Sequence, residues 1–207
     1  EGFPAGPAEG GSLSPDLVTF HWLSLRWLKG DYEGAKRIHG SLACPQTFAP
    51  AEAVLTSRQA VARALCLAAN QNYAAALITQ ESLGQVPAST LDQAIGMLHG
   101  VVQAQPDAVV PRYNLGRAYL ARSRWAEAAD ALSQVAQRDP RHARALADLG
   151  EAYVELWKIG AAKDAADRAV AADPQLPAGH AVQGRCMVVW DQLDEAERAL
   201  QQALDLA

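Results

Sequence analysis

Side chains that could carry out acid–base or metal chemistry are spread thinly along this sequence. A metal ion needs two or three ligands that converge on one point, and paired carboxylates divide acid and base roles only where burial separates their pKa values. Glu151 and Glu155 share one face of a predicted alanine-rich helix, where we expect a solvated surface. The five histidines fall in separate predicted elements, at His21, His39, His99, His142 and His180. We therefore predict no metal, no cofactor and no catalytic residue, and hence a protein that is not an enzyme.

Motifs for nucleotide binding and for nucleophilic catalysis are missing from the sequence. It contains no G-x-x-x-x-G-K-[ST] loop, no G-x-G-x-x-G, no G-x-S-x-G and no H-E-x-x-H. The 207 residues include 18 basic and 23 acidic side chains, which give a net charge of −5 at pH 7. Nucleic-acid binding and attachment to acidic membranes both rely on basic surfaces, so neither is expected. No apolar run approaches the ~20 residues of a membrane span.

The three cysteines, Cys44, Cys66 and Cys186, form no C-x-x-C pair and lie far apart in the sequence. An odd and scattered set is typical of small buried hydrophobic residues in a reducing compartment. We therefore expect neither a disulfide nor a metal site. This slightly favours the cytoplasm over the periplasm and otherwise leaves the location open.

The elements that position the side chains are revealed by an internal repeat in the second half of the chain. Gly116, Gly150 and Gly184 follow one another at intervals of 34 residues. Around them the segments 109–140, 143–174 and 177–207 align, with further shared positions that in the first copy are Leu115, Tyr119, Ala128, Leu132 and Pro140. In spacing and in residues, this part of the chain resembles the tetratricopeptide repeat family.

The resemblance implies an all-α fold, a right-handed superhelical solenoid of antiparallel helix pairs. In each pair, helix A and helix B approach closely where small residues stand, such as Gly116 and Ala128. Pro140 and Pro174 are expected to end the B helices, because proline lacks an amide donor and clashes with the preceding turn. The third repeat stops at Ala207 with an apolar last helix, so we expect more sequence beyond it.

The first half of the chain matches the repeat less well. Residues 1–13 are rich in Gly and Pro and are predicted to be a flexible segment. Residues 14–106 are predicted to form degenerate helix pairs: a first helix over about 15–29, a B-like helix with Tyr32 and Ala35 in the segment that follows it, a pair over about 53–84, and a B-like helix over 91–104. The whole chain would then have about eleven helices. Whether residues 70–92 form a regular pair stays open.

A partner-binding groove follows from the resemblance, because A helices line the concave face in this family. The residues that would face it are Tyr113, Asn114, Arg117, Asp148, Glu151 and Arg185. Arg117, Glu151 and Arg185 would form a row of mixed charge suited to a partner peptide or helix. Asp148 would repel a ligand carboxylate, so the carboxylate-clamp subclass is not expected.

Two of the five tryptophans fall near turns between helices, where the family is usually polar. Trp157 and Trp190 are therefore predicted to be interface aromatics, since large half-exposed rings commonly anchor interfaces. Together these features favour a non-catalytic protein–protein interaction scaffold. The alternatives are an N-terminal module of a larger glycosyltransferase, hydroxylase or sulfotransferase, and a structural scaffold that assembles with copies of itself.

Overall fold

The computed structural model describes residues 57–82 and 89–207, together with Arg37 and Cys44. These residues form eight helices and contain no strand, which confirms the all-α prediction for this part of the chain. The helices are α1 (Ser57–Ser82), α2 (Ser89–Ala104), α3 (Val109–Ala121), α4 (Trp125–Arg138), α5 (Ala143–Glu155), α6 (Ile159–Ala172), α7 (Pro177–Val189) and α8 (Leu193–Asp205). The count of about eleven is not matched among them. The predicted flexible segment 1–13 and the predicted helix over 15–29 lie outside the described residues.

The last six helices form three successive hairpins, α3–α4, α5–α6 and α7–α8. Each first helix (the A helix) packs on its own second helix (the B helix) and also on the A helix of the next hairpin. Among the described residues, each B helix contacts only its own A helix and the A helix that follows it. The A helices therefore share one side of a stacked row of hairpins, which is the arrangement of a helical solenoid.

Close approach within the hairpins depends on glycine in the A helices. A Cβ built on Gly116 would lie 2.6 Å from Cγ of Leu132, and one on Gly184 would lie 2.6 Å from Cγ of Leu200. Both distances are far below van der Waals contact, so any larger residue would push the two helices apart. The regular glycine of the repeat is therefore a packing requirement.

The core is continuous along the row of hairpins. Ala118, Ala128, Leu132 and Leu146 are fully buried in one cluster that extends from α1 to α6. A second cluster joins the last two hairpins and consists of Ile159, Ala162, Ala166, Val182 and Cys186. Because each hairpin buries its apolar surface only against its neighbours, the positions of the A helices, and of any side chains on them, are fixed by stacking.

The helix pair predicted over about 53–84 is wrong for the part that the structure describes. A single 26-residue helix, α1, runs through the expected turn near Tyr73. Residues 57–82 contain neither Gly nor Pro and are rich in alanine, so nothing in the local sequence ends the helix there. Tyr73 joins the main core, and α1 packs on both α2 and α3, where it takes the place of an A helix before α2.

The cysteine prediction is also wrong for two of the three residues. Cys44 and Cys66 form a disulfide with their Cα atoms 5.3 Å apart, whereas Cys186 is free and buried. The spacing of 22 residues carried no sign of the pairing, because the fold decides which cysteines meet. Disulfides persist mainly in oxidising compartments, so the argument that favoured the cytoplasm no longer holds.

Candidate functional site in two pockets on the inner helices

The described residues offer little for metal or membrane chemistry. They contain no group of three or more His, Cys, Asp or Glu side chains placed to hold a metal ion. No helix among them has the length and apolar character needed to cross a membrane. Two pockets among the last three hairpins are the relevant surface features, one between A helices and one beside the A–B turns.

The first pocket, here named the polar pocket, lies between α3, α5 and the start of α7 and has a volume of about 260 Å³. Tyr113 and Arg117 stand one helical turn apart on α3, and Arg144 and Asp148 stand one turn apart on α5, so each pair shares a face of its helix. Leu176 and Ala178 from the next hairpin close the remaining side. The stacking of three hairpins thus assembles this pocket.

Asp148 is the electrostatic centre of the polar pocket. Its Oδ2 is buried and has no hydrogen-bond partner among the described residues. Burial raises the pKa of Asp148 to about 6, against the lowering influence of the Tyr113 hydroxyl, Arg117 and Arg144, while Glu151 adds to the rise. A buried acceptor without a donor is unfavourable, so Oδ2 of Asp148 is the unsatisfied polar atom of this pocket among the described residues.

Tyr113 forms a rigid wall of the same pocket. Its ring packs at 44° against the ring of His142, with 4.7 Å between centroids, and the guanidinium Cζ of Arg117 lies 6.0 Å from the Tyr113 centroid. Burial, and next the charge of Asp148, raise the pKa of the Tyr113 hydroxyl above its ordinary value. The hydroxyl therefore stays protonated at neutral pH and is able to donate a hydrogen bond.

The structure brings together three of the predicted groove residues and separates the others. Tyr113, Arg117 and Asp148 line the polar pocket. Asn114 is only 8% exposed and offers little surface to a partner. Glu151 is exposed on α5, and Arg185 lies further along the solenoid.

Within the predicted row Arg117–Glu151–Arg185, Nη2 of Arg185 donates to Oε1 of Glu155 at 2.5 Å. That the three side chains line one partner groove stays a prediction. Arg144 lines the polar pocket, although it was not among the residues predicted to face the groove. Its position one helical turn before Asp148 was the available signal.

The second pocket, here named the apolar pocket, lies where α5 and α7 end. It has a volume of about 320 Å³, and it is lined by Val154, Glu155, Trp157, Ile159, Arg185, Val188, Val189 and Leu200. Trp157 is 80% exposed beside it, and Val188 and Val189 are about half exposed. The Arg185–Glu155 ion pair is the polar contribution to an otherwise aliphatic and aromatic lining.

The backbone at Trp157 is unusual for so large a residue. Ser123, Trp157 and Asp191 have positive φ angles of 55°, 58° and 60°, each at the same point of an A–B turn. This left-handed conformation is normally taken by Gly, with Asn and Asp next, because a Cβ is disfavoured there. The sequence placed Trp157 at the turn, but the required φ could not be inferred without the backbone.

Stacked helical hairpins of one length, with small residues at the contacts, define the class of helical-repeat proteins. Residues 119–186 match the model of the tetratricopeptide repeat family, which confirms the family prediction for this segment. The sequence matches no curated protein.

Similar solved structures extend the comparison to nearly the whole chain. MamA from Desulfovibrio magneticus RS-1, from residue 41 to its end, is 19% identical with a TM-score of 0.72, and the match covers 94% of this chain and 96% of that chain. Another MamA crystal structure is 18% identical with a TM-score of 0.68, covering 92% of this chain and 91% of that chain. At these identities the likeness shows the fold. The fold and the repeat match support a protein-interaction scaffold.

Proposed function

We propose that this chain is a non-catalytic scaffold that captures a partner peptide or helix on the surface formed by its A helices, with the polar pocket as the principal contact. The observation that carries the proposal is the buried, unpaired Oδ2 of Asp148 in a pocket shared with Tyr113, Arg117 and Arg144. A buried oxygen of this kind is unfavourable unless something else supplies its hydrogen bond.

The charges of the polar pocket favour a ligand that both donates and accepts hydrogen bonds. Oδ2 of Asp148 lacks a donor, while Arg117 and Arg144 take part in none of the salt bridges of the described residues, act on Asp148 through their charges and present donors only. A main-chain or side-chain amide of a peptide carries both functions on adjacent atoms. Glu151, exposed one turn further along α5, would contact a flanking residue of the same peptide.

A random peptide library displayed on phage tests the proposal with defined ligands. Peptides selected on the wild-type chain should lose binding to Arg117→Glu, because the reversal places a second carboxylate beside Asp148. The matched control is Arg168→Glu, an equal charge reversal at an exposed position of the B helix α6. Equal binding by both variants, with unchanged helical circular dichroism, would exclude the polar pocket as the binding site.

A further inference from the structure

We propose that the A–B turn edge of the last two hairpins is a docking surface for an amphipathic helix that carries Lys or Arg beside its apolar stripe. The surface, here named the turn edge, consists of Trp157, Val188, Val189, Trp190 and Leu193 around the apolar pocket. It shares no residue with the polar pocket. Each of the two proposals can therefore fail without the other.

Exposed apolar side chains are concentrated at the turn edge. The large hydrophobic residues exposed in the described part of the chain also include Val110 and Leu204, but the other five all belong to this surface. Large apolar groups gathered around a pocket are typical of interaction sites, whereas single exposed ones are ordinary. Packing among the described residues leaves this cluster exposed.

Trp157 adds a second, independent observation. Its backbone holds an unfavourable left-handed conformation and its side chain is 80% exposed, so neither local conformation nor burial favours an indole there. The equivalent residues of the neighbouring turns, Ser123 and Asp191, are small and polar. An exposed tryptophan next to an apolar pocket is the type of residue that dominates binding energy when a partner covers it.

The backbone around the turn edge points to a helical partner. The amides of Trp157, Lys158 and Gln192 already bond to carbonyls within their own turns, at 2.9, 2.8 and 3.0 Å. The described residues contain no strand whose edge could pair with an extended segment. An extended partner would leave its own amides and carbonyls unpaired over apolar side chains, whereas a helix satisfies them internally.

Charge complementarity selects a basic helix over a second copy of this chain. Asp191, Asp194 and Glu195 are exposed around Trp190 and Leu193. Glu195 pairs with Arg198 at 3.5 Å, but Asp191 and Asp194 form no ion pair within the described residues. With a net charge of −5, a second copy would approach this acidic surface against long-range repulsion.

A synthetic amphipathic peptide provides the probe, with Leu at i, i+3, i+4 and i+7 and Lys at the flanking positions. Titration calorimetry on the full chain should show binding that weakens as salt is raised. A matched peptide with Glu in place of Lys should bind at least about 10-fold more weakly, since like charges then face each other. Failure of the Lys peptide to bind the wild-type chain would overturn the proposal.

Trp157→Gly is the decisive variant, because glycine suits the backbone of this turn. It should raise the melting temperature and lower the affinity for the Lys peptide by about 30-fold, which is the loss expected for a central anchor residue. Ser123→Gly relaxes the equivalent backbone in the preceding turn and should raise the melting temperature with binding unchanged.

Three outcomes contradict the proposal. A lower melting temperature in Trp157→Gly would assign the indole to the chain's own packing. Equal affinity in Trp157→Gly and wild type would place the peptide elsewhere. A concentration-dependent dimer of the wild type that Trp157→Gly abolishes would assign the turn edge to a second copy. Arg117→Glu should bind the Lys peptide as wild type does, which separates this result from the test of the polar pocket.

Discussion

The polar pocket and the turn edge depart from the repeat pattern in opposite ways. At the polar pocket, a carboxyl group is buried on a regular helix; at the turn edge, an indole is exposed on a strained turn. The positions equivalent to Asp148 are Asn114 and Val182, and both are buried. The comparison teaches that stacking sets how far each position is buried, and that a residue whose type disagrees with its position is a candidate for function.

The largest expected effect comes from disturbing α5, the helix that both regions share. Gly150→Val should lower the free energy of unfolding by about 3 kcal/mol, the upper end of overpacking effects. A Cβ at Gly150 would lie 2.9 Å from Cγ1 of Val182 and 3.2 Å from the carbonyl oxygen of Ala162. Urea unfolding measures the change.

The matched control for this variant is Gly160→Ala on α6, where a Cβ would meet no atom within 4 Å. It should leave stability unchanged or raise it by up to about 1 kcal/mol, because alanine restricts the unfolded chain. If both variants were equally stable, the hairpins would not be as tightly packed as the structure shows.

Asp148→Asn is expected to change the free energy of unfolding by less, and in a way that depends on pH. No such pH dependence is expected from a variant of the turn edge. The pKa of Asp148 is raised from its usual 3.8 to about 6, so between these values the folded state holds more protons than the unfolded state. The free energy of unfolding should therefore fall as the pH rises from about 4 to about 6.

Asp148→Asn should abolish that fall and be more stable than wild type by at most about 3 kcal/mol at pH 8, and nearly equal to it at pH 4. Thermal unfolding across this pH range provides the measurement. A pH profile identical to that of wild type would show that the carboxyl group is not held in a desolvated position.

The smallest change in the free energy of unfolding is expected for substitutions at the turn edge, measured in the absence of any ligand. Trp157→Gly should raise the free energy of unfolding by about 1 kcal/mol, because the left-handed strain of an L-residue is removed. Asp191→Gly should raise the free energy of unfolding by less, since aspartate tolerates the left-handed conformation better than tryptophan does. A larger gain for Asp191→Gly than for Trp157→Gly would contradict the account of the turn edge.

The sequence predicts the backbone of this protein better than it predicts the surroundings of individual side chains. The 34-residue interval of Gly116, Gly150 and Gly184 predicts the three hairpins, because contact between A and B helices demands glycine at that point. The same pattern failed near Tyr73, where an alanine-rich stretch without helix breakers continued as one helix. Local propensity there outweighed a weak repeat match.

The candidate sites were only partly predictable for a different reason. Tyr113, Arg117 and Asp148 lie on A helices and line one pocket, but their contact with a partner stays a prediction, and the pocket is completed only by Leu176 and Ala178 from the next hairpin. Trp157 stands out because of its positive φ angle, which cannot be predicted from the sequence pattern. Likewise, the Cys44–Cys66 pairing is a property of the folded chain and not of the spacing between its residues.

The central claim is that this scaffold has two independent binding surfaces. The most direct test is to titrate both probes, the library-selected peptide and the Lys-flanked helix, into both variants. The account predicts that Arg117→Glu loses only the selected peptide and that Trp157→Gly loses only the helix. The account would be contradicted if either variant lost binding to both probes. It would also be contradicted if both variants still bound both probes.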